Sequence, residues 1–185
     1  MKIDMYTHVL PAKYKEALYR YGDKFLPEIK VQEKRVTLTD HEARCRILDE
    51  HEDMAQVIST TIPPLEEVFD PGRAAELARI ANDEMAELVA KFPKRYIAAI
   101  ANLPLNDIDA AMKETERAIR KLGLKGIQIY TSIQGKPLSS EEFMPLYEMM
   151  TRFDLPIWIH PLRRTTVPDY PTEDVSFHHI SGIFG

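Results

Sequence analysis

Cysteine is almost absent from this sequence, and so are the long apolar runs of membrane proteins. Cys45 is the only cysteine among the 185 residues, so no disulfide can form within them, and such cysteine usage is typical of a reducing compartment. No stretch approaches the roughly 18 apolar residues of a membrane-spanning helix, and Asp4 and His8 interrupt any apolar leader. We therefore expect a cytoplasmic protein with no membrane partner, in which Cys45 is a packing residue.

Glycine-rich phosphate-binding motifs are also missing. The sequence contains neither a Gly-x-Gly-x-x-Gly turn nor a phosphate-binding loop, so a nucleotide cofactor has no support. It also lacks the Gly-x-Ser-x-Gly turn that surrounds a nucleophilic serine. The formal net charge is −5 and the basic residues are scattered, which argues against nucleic acid as a partner.

What the sequence does contain is an alternation of short apolar runs with helical patterns. The runs are nearly continuous in apolar character, as strands buried on both faces are; they are residues 3–6, 55–60, 96–103, 126–130 and 156–160. Helical spacing separates them, most clearly from Pro71 to Phe92 after an N-cap at Asp70. Gly123 is typical of a helix C-cap. The alternation predicts right-handed βαβ units on a parallel sheet.

The length predicts one domain over residues 1–185. Residues 20–39 are charged and irregular, and we expect them to form a loop or flap over one end of the sheet. Five strands suit either a doubly wound, flavodoxin-like sheet or the first five units of an eight-unit barrel. The apolar ending at residues 178–185 predicts a chain that is cut short.

Polar side chains follow four of the five predicted strands, where parallel α/β folds place their sites. They are Tyr6 and His8, residues 59–61, residues 130–132, and His160. Because side chains alternate along a strand, Tyr6 and His8 are expected on the same face. His8 and His160 form the strongest pair, with a predicted role as metal ligands or in acid–base chemistry. The alternative for each is a histidine bonded to a backbone carbonyl.

Other polar residues give further candidates. Arg163 and Arg164 follow His160 and are predicted to bind a substrate carboxylate with paired hydrogen bonds, the alternative being solvated side chains. For Tyr6 three roles are open: a phenolate ligand, a hydrogen-bond donor or a core residue. The remaining histidines are expected on the surface or in a solvated loop; they are His41, His51, His178 and His179.

Several segments resemble the amidohydrolase-related family of metal-dependent decarboxylases and hydrolases, whose best-known branch acts on 2-amino-3-carboxymuconate 6-semialdehyde. Residues 2–11, with the sequence KIDMYTHVLP, resemble the first strand of that family, and residues 48–59 resemble the run into its second strand. The longest match comprises residues 123–130, 135–138, 143–147 and 155–161.

The resemblance implies a (β/α)₈ TIM barrel with a divalent metal, usually zinc with manganese as the alternative, at the carboxyl ends of its strands. It implies four ligands: two histidines on the first strand, one histidine after the fifth, and an aspartate after the eighth. His8 and His160 match two of these positions, Tyr6 replaces the other histidine, and the aspartate would lie beyond Gly185. Tyr6 and His160 are the expected catalytic residues.

The function implied is metal-dependent decarboxylation of an aromatic or unsaturated carboxylic acid, so the expected partner is a small-molecule carboxylate. One alternative is hydrolysis of a C–O or C–N bond in a small acid or lactone. Another is a non-catalytic relative with a degenerate metal site, which Tyr6 motivates. The resemblance also leaves a homodimer open, and a self-contained half-barrel is a further alternative.

Overall fold

The computed structural model describes residues 1–21, 26–51, 53–60 and 63–162, and strands alternate with helices along these ranges. The strands are β1 (Lys2–Val9), β2 (Met54–Thr60), β3 (Tyr96–Ala99), β4 (Ile127–Tyr130) and β5 (Ile157–His160). The helices are α1 (Ala12–Tyr21), α2 (Leu26–Glu33), α3 (Val36–Thr39), α4 (His41–Asp49), α5 (Leu65–Val68), α6 (Pro71–Lys91), α7 (Ile108–Arg120) and α8 (Met144–Phe153), with a 3-10 turn at Glu141–Phe143. Each predicted apolar run overlaps one strand, so the predicted alternation is confirmed.

The order of the strands in space follows their order in the chain. β1 pairs with β2, β2 with β3, and β4 with β5, all in parallel. A parallel bridge between Ala101 and Ile127 connects the two groups. A barrel has this sequential order, whereas a flavodoxin-like sheet places its first strand between the second and third. The α/β class is therefore confirmed, and the flavodoxin-like alternative is wrong.

The sheet curls so strongly that its first and fifth strands touch. The Tyr6 hydroxyl donates to the Ile159 carbonyl at 2.6 Å, and the Trp158 indole N–H donates to the Met5 carbonyl at 2.8 Å. Neighbouring strands lie about 4.8 Å apart, so β1 and β5 would be about 19 Å apart in a flat sheet. The described strands therefore form a curled, open arc, and the closed eight-stranded barrel stays a prediction.

Local signals correctly predicted where the helices begin and end. The Asp70 side chain accepts from the Arg73 N–H at 3.1 Å, and Pro71 opens α6. Gly123, after α7, has a φ of 74°, a left-handed conformation that favours glycine. Cys45 is buried in the core, as expected of a packing residue. No helix in the described ranges combines the length and apolar character needed to cross a membrane.

Residues 20–39 depart from the irregular loop or flap that the sequence predicted. The described part contains the end of α1, all of α2 and the short helix α3. Ile29 of α2 is buried, and the Leu38 carbonyl accepts from the Leu10 N–H at 2.8 Å. The prediction of irregular structure was wrong, because buried contacts favour helical order in this charged segment. The Leu10–Leu38 hydrogen bond places α3 beside the carboxyl end of β1.

Candidate active site

Two histidines, one on the first strand and one on the fifth, meet at the carboxyl edge of the arc. His8 lies near the end of β1 and His160 is the last residue of β5. Their Nε2 atoms are 3.2 Å apart, and their ring centroids are 5.1 Å apart. The curl of the sheet produces this approach, because it brings β1 and β5 together. The structure thus pairs the two residues that the sequence singled out as metal ligands.

The outer nitrogens of both rings have polar neighbours. His160 Nδ1 lies 2.8 Å from the Pro161 carbonyl oxygen. Because a carbonyl only accepts, Nδ1 carries the proton and the lone pair is on Nε2. His8 Nδ1 lies 3.1 Å from the Ser59 hydroxyl. These contacts orient both rings with Nε2 towards the shared space.

Both imidazoles are neutral near pH 7. Burial, together with the neighbouring His160, lowers the pKa of His8 to about 4. Burial also lowers the pKa of His160, although its bond to the Pro161 carbonyl acts in the opposite direction. Neutral imidazole is the form that binds metal ions, so no proton has to be removed before binding.

The pair fits a divalent metal ion. The lone pair of His160 Nε2 faces His8 Nε2 at 3.2 Å, and a shared proton or a cation stabilises such an approach. Imidazole nitrogens bind zinc at about 2.0–2.1 Å, which places two of them about 3.3 Å apart in a tetrahedral shell. Within the described ranges no group of three or more His, Cys, Asp or Glu could hold a metal. The pair could therefore supply two ligands of a metal ion.

A buried arginine that the sequence analysis missed holds the backbone of His8. The Arg44 Nη1 donates to the His8 carbonyl at 2.7 Å and to the Thr37 carbonyl at 2.8 Å, and its Nε donates to Gln56 Oε1 at 2.9 Å. The Gln56 amide in turn donates to Asp4 Oδ2 at 3.3 Å. The sequence offered one signal for this arginine. Arg44 lies four residues before the buried Leu48, so both side chains lie on the same face of α4.

Tyr6 acts as a hydrogen-bond donor in this arrangement. Its hydroxyl donates to the Ile159 carbonyl at 2.6 Å, and partial burial raises its pKa. The phenol therefore keeps its proton and is directed at β5 backbone rather than at the histidine pair. Tyr6 and His8 both reach β5, in agreement with the prediction that they share a face. Of the three roles that the sequence left open, the donor role is the one that the structure shows.

The structure describes only some of the other residues that the sequence singled out. Arg163, Arg164, His178 and His179 lie outside the described residues, as do Thr61 and the ending 178–185. His51 is exposed, as expected. His41 is half-buried rather than a free surface residue: its Nδ1 lies 3.2 Å from the Tyr96 hydroxyl. Burial lowers its pKa to about 4, because α4 packs His41 against the edge of the Tyr96 ring.

Similar proteins include named decarboxylases. The 2-amino-3-carboxymuconate-6-semialdehyde decarboxylase of Dictyostelium discoideum is 29% identical over 181 residues, which cover 87% of this chain and 49% of that protein. The gamma-resorcylate decarboxylase of Polaromonas sp. (strain JS666) is 34% identical over 144 residues, covering 74% of this chain and 44% of that protein. The chain thus spans about half the length of these relatives.

Similar solved structures also include named decarboxylases. A dihydroxybenzoic acid decarboxylase from Polaromonas sp. JS666, with bound manganese and the inhibitor 2-nitroresorcinol, matches with a TM-score of 0.69 and 30% identity over 90% of this chain and 50% of that one. The 5-carboxyvanillate decarboxylase LigW from Sphingomonas paucimobilis matches with a TM-score of 0.72 and 28% identity, over 86% of this chain and 51% of that one.

A family model covers nearly the whole sequence. The model, described as Amidohydrolase, matches residues 3–185. This match confirms the resemblance to the amidohydrolase-related family that the sequence segments showed. On this match, together with the relatives above, the chain belongs to the amidohydrolase family.

Proposed function

We propose that this chain is part of a metal-dependent decarboxylase that acts on an aromatic or unsaturated carboxylic acid. The observation that carries the proposal is the convergence of His8 and His160, whose Nε2 atoms are 3.2 Å apart. The decarboxylase names of the relatives support the reaction class. The reaction breaks the bond between the carboxylate and its carbon, releases carbon dioxide and delivers a proton to that carbon.

His8 and His160 would hold the metal, which would act as a Lewis acid on an anionic substrate. The proposal leaves the metal as zinc or manganese: imidazole nitrogens suit zinc, and manganese is bound in the Polaromonas structure. His160 would also act in catalysis, and Tyr6 would donate a hydrogen bond at the margin of the site. Arg163 and Arg164 keep their predicted role in binding the substrate carboxylate. The proposed setting is the cytoplasm.

A non-catalytic relative is the second candidate. Two observations favour it: the Tyr6 hydroxyl is bonded to the Ile159 carbonyl, and the described residues bring together only two metal ligands. In that case the site would bind a small acid without converting it. Metal content and turnover separate the two candidates.

The test uses the longest natural form of the protein. Its metal content is measured by plasma mass spectrometry, as purified and after loading with Mn²⁺ or Zn²⁺, and loaded samples are assayed for carbon dioxide release from dihydroxybenzoates, 5-carboxyvanillate and muconate-type acids. We expect about one metal ion per chain and turnover of at least one of these acids.

Two histidine variants provide the comparison. His160→Ala should lose the metal, whereas His51→Ala, which changes an exposed histidine, should keep it. Metal binding without turnover of any acid would support the non-catalytic candidate. Hydrolysis of a lactone or amide by the same loaded samples, without carbon dioxide release from any acid, would support the hydrolase alternative. Absence of metal after loading would contradict the proposal.

A further inference from the structure

Thr131 is the first residue after β4, in one of the polar segments that follow the predicted strands. Its backbone N–H donates to the His160 carbonyl at 3.0 Å, so the hydrogen bonding of β4 with β5 continues one residue beyond β4. Thr131 therefore lies beside the last residue of β5, which is one of the two candidate metal ligands. Its side chain reaches past His160 to the segment that follows.

The Thr131 hydroxyl makes two hydrogen bonds with Leu162. The Leu162 N–H donates to Thr131 Oγ1 at 2.7 Å, and the hydroxyl donates to the Leu162 carbonyl at 3.2 Å. One hydroxyl thus uses both its acceptor and its donor capacity on a residue that is distant in the chain. Together with the backbone bond to His160, these contacts hold the segment after β5 against the end of β4.

The peptide group that joins Pro161 to Leu162 connects this contact to the ring of His160. Its N–H donates to Thr131 Oγ1, and its C=O accepts from His160 Nδ1 at 2.8 Å. Because a peptide group is planar, its N–H and its C=O turn together. The proline ring fixes the φ angle of Pro161, so the direction of the carbonyl depends mainly on the ψ angle of that residue. The hydrogen bond to Thr131 restrains this one torsion.

The direction of the Pro161 carbonyl decides which nitrogen of His160 carries the proton. The tautomer of a neutral imidazole is set by the hydrogen bonds of its two nitrogens. With Nδ1 donating to Pro161, the lone pair is on Nε2, which lies 3.2 Å from His8 Nε2. If the carbonyl turned away, the proton would be free to move to Nε2. It would then block the lone pair that a metal ion requires.

We infer that Thr131 is a positioning residue, which fixes the metal-binding tautomer of His160 through the peptide group between Pro161 and Leu162. The inference rests on the proposed function, since it assigns the support of one of the two proposed metal ligands. Outer hydrogen bonds to metal-binding histidines often affect metal affinity about 10- to 100-fold. Thr131 lies one hydrogen bond further out, so we expect an effect at the lower end of this range.

The test compares three threonine variants in the longest natural form. Thr131→Val keeps the branched shape and replaces the hydroxyl by a methyl group, which also occupies the space that a substituting water molecule would need. Thr131→Ser keeps the hydroxyl and removes only the methyl group. Thr151→Val is the matched control, because the Thr151 hydroxyl also donates to a backbone carbonyl, that of Tyr147 at 2.9 Å, but within α8. Circular dichroism and thermal melting establish that each variant is folded.

The first readout is independent of metal. Histidine ring ¹⁵N spectra of the metal-free protein near pH 7, with His160 assigned by its Ala variant, distinguish a protonated Nδ1 from a protonated Nε2. We expect the Nδ1–H form of His160 in the wild type, Thr131→Ser and Thr151→Val, and a rise of the Nε2–H form in Thr131→Val. A pure Nδ1–H form in folded Thr131→Val, or an equal rise in either other variant, would overturn the inference. So would an Nε2–H form in the wild type.

The second readout is the Mn²⁺ dissociation constant, measured by competition with a chelator. Thr131→Val should weaken binding about tenfold, whereas Thr131→Ser and Thr151→Val should stay within about twofold of the wild type. Equal affinities of Thr131→Val and the wild type would contradict the inference, and so would an equal loss in Thr151→Val. A wild-type protein that binds no Mn²⁺ would instead contradict the proposed function, and the ring spectra would still decide the role of Thr131.

Discussion

At the scale of single residues, the position of His8 depends on Arg44. This buried guanidinium donates to the His8 and Thr37 carbonyls and to the Gln56 side chain. It therefore joins α3, α4 and the carboxyl end of β1. A hydrocarbon side chain at this position would leave those acceptors without donors in a buried environment, which is costly.

Arg44→Met should therefore lower the free energy of unfolding by about 3 kcal/mol. The neighbouring Arg46 is exposed on the same helix, so Arg46→Met should change the free energy of unfolding by no more than about 0.5 kcal/mol. Urea unfolding of both variants measures the difference. Equal stabilities would show that the Arg44 hydrogen bonds contribute nothing to the fold.

The pKa of Glu66 predicts a stability that depends on pH. Burial raises this pKa from 4.5 to about 7, so the folded protein holds a proton that the unfolded chain releases. The resulting stabilisation is complete below pH 4.5 and is lost as the pH rises to about 7; the full loss is about 3 kcal/mol. Glu66→Gln has no such proton.

Urea unfolding of the wild type and Glu66→Gln between pH 4.5 and 8 checks this prediction. The wild type should lose stability relative to the variant as the pH rises, and the difference should level off above about pH 7. The comparison with Glu66→Gln is needed because His8 and His41 have lowered pKa values. These two histidines make both proteins less stable at acidic pH, which is opposite to the effect of Glu66. A constant difference would mean that Glu66 ionises normally.

At the scale of secondary-structure elements, most of the fold could be predicted because the signals are local. Continuous apolar runs predicted the strands, and Asp70 and Gly123 predicted helix ends. The run 96–103 was expected to be one strand, but β3 ends at Ala99. The reason is a change of partner: the Ile100 N–H donates to the Ile58 carbonyl, whereas the Ala101 N–H donates to the Gly126 carbonyl. Such a change of partner depends on tertiary contacts and leaves no pattern in the local sequence.

Gly126 is required where β4 approaches β5. A Cβ atom at this position would lie 2.7 Å from the Pro156 carbonyl oxygen and 2.9 Å from the Trp158 ring. Because a backbone oxygen cannot move aside cheaply, Gly126→Ala should lower the free energy of unfolding by about 2 kcal/mol.

Gly72 provides the matched control for this substitution. A Cβ atom there would make an ordinary contact of 3.4 Å with the Asp70 side chain. Since alanine also favours the helix, Gly72→Ala should be neutral or stabilising by up to about 1 kcal/mol. Urea unfolding measures both variants, and a Gly126→Ala protein as stable as the wild type would show that β4 and β5 separate easily.

At the scale of the whole molecule, the site exists because β1 and β5 meet. The sequence predicted both histidines, since each follows an apolar strand, but it could not predict their 3.2 Å separation. That distance depends on the curl of the entire arc and on the contacts of Tyr6 and Trp158 across it. Arg44 was missed because its partners His8 and Gln56 are distant in the chain.

A metal bound by both histidines would act as a cross-link between β1 and β5. Mn²⁺ should therefore stabilise the folded protein, by about 2.7 kcal/mol at a free concentration one hundred times the dissociation constant. Thermal melting of the longest natural form, with and without Mn²⁺, measures this effect, and a chelator should reverse it. His160→Ala retains His8 but cannot link the strands, so its melting temperature should not respond. An equal response in both proteins would place the metal elsewhere, because only a metal bound by both histidines holds β1 and β5 together.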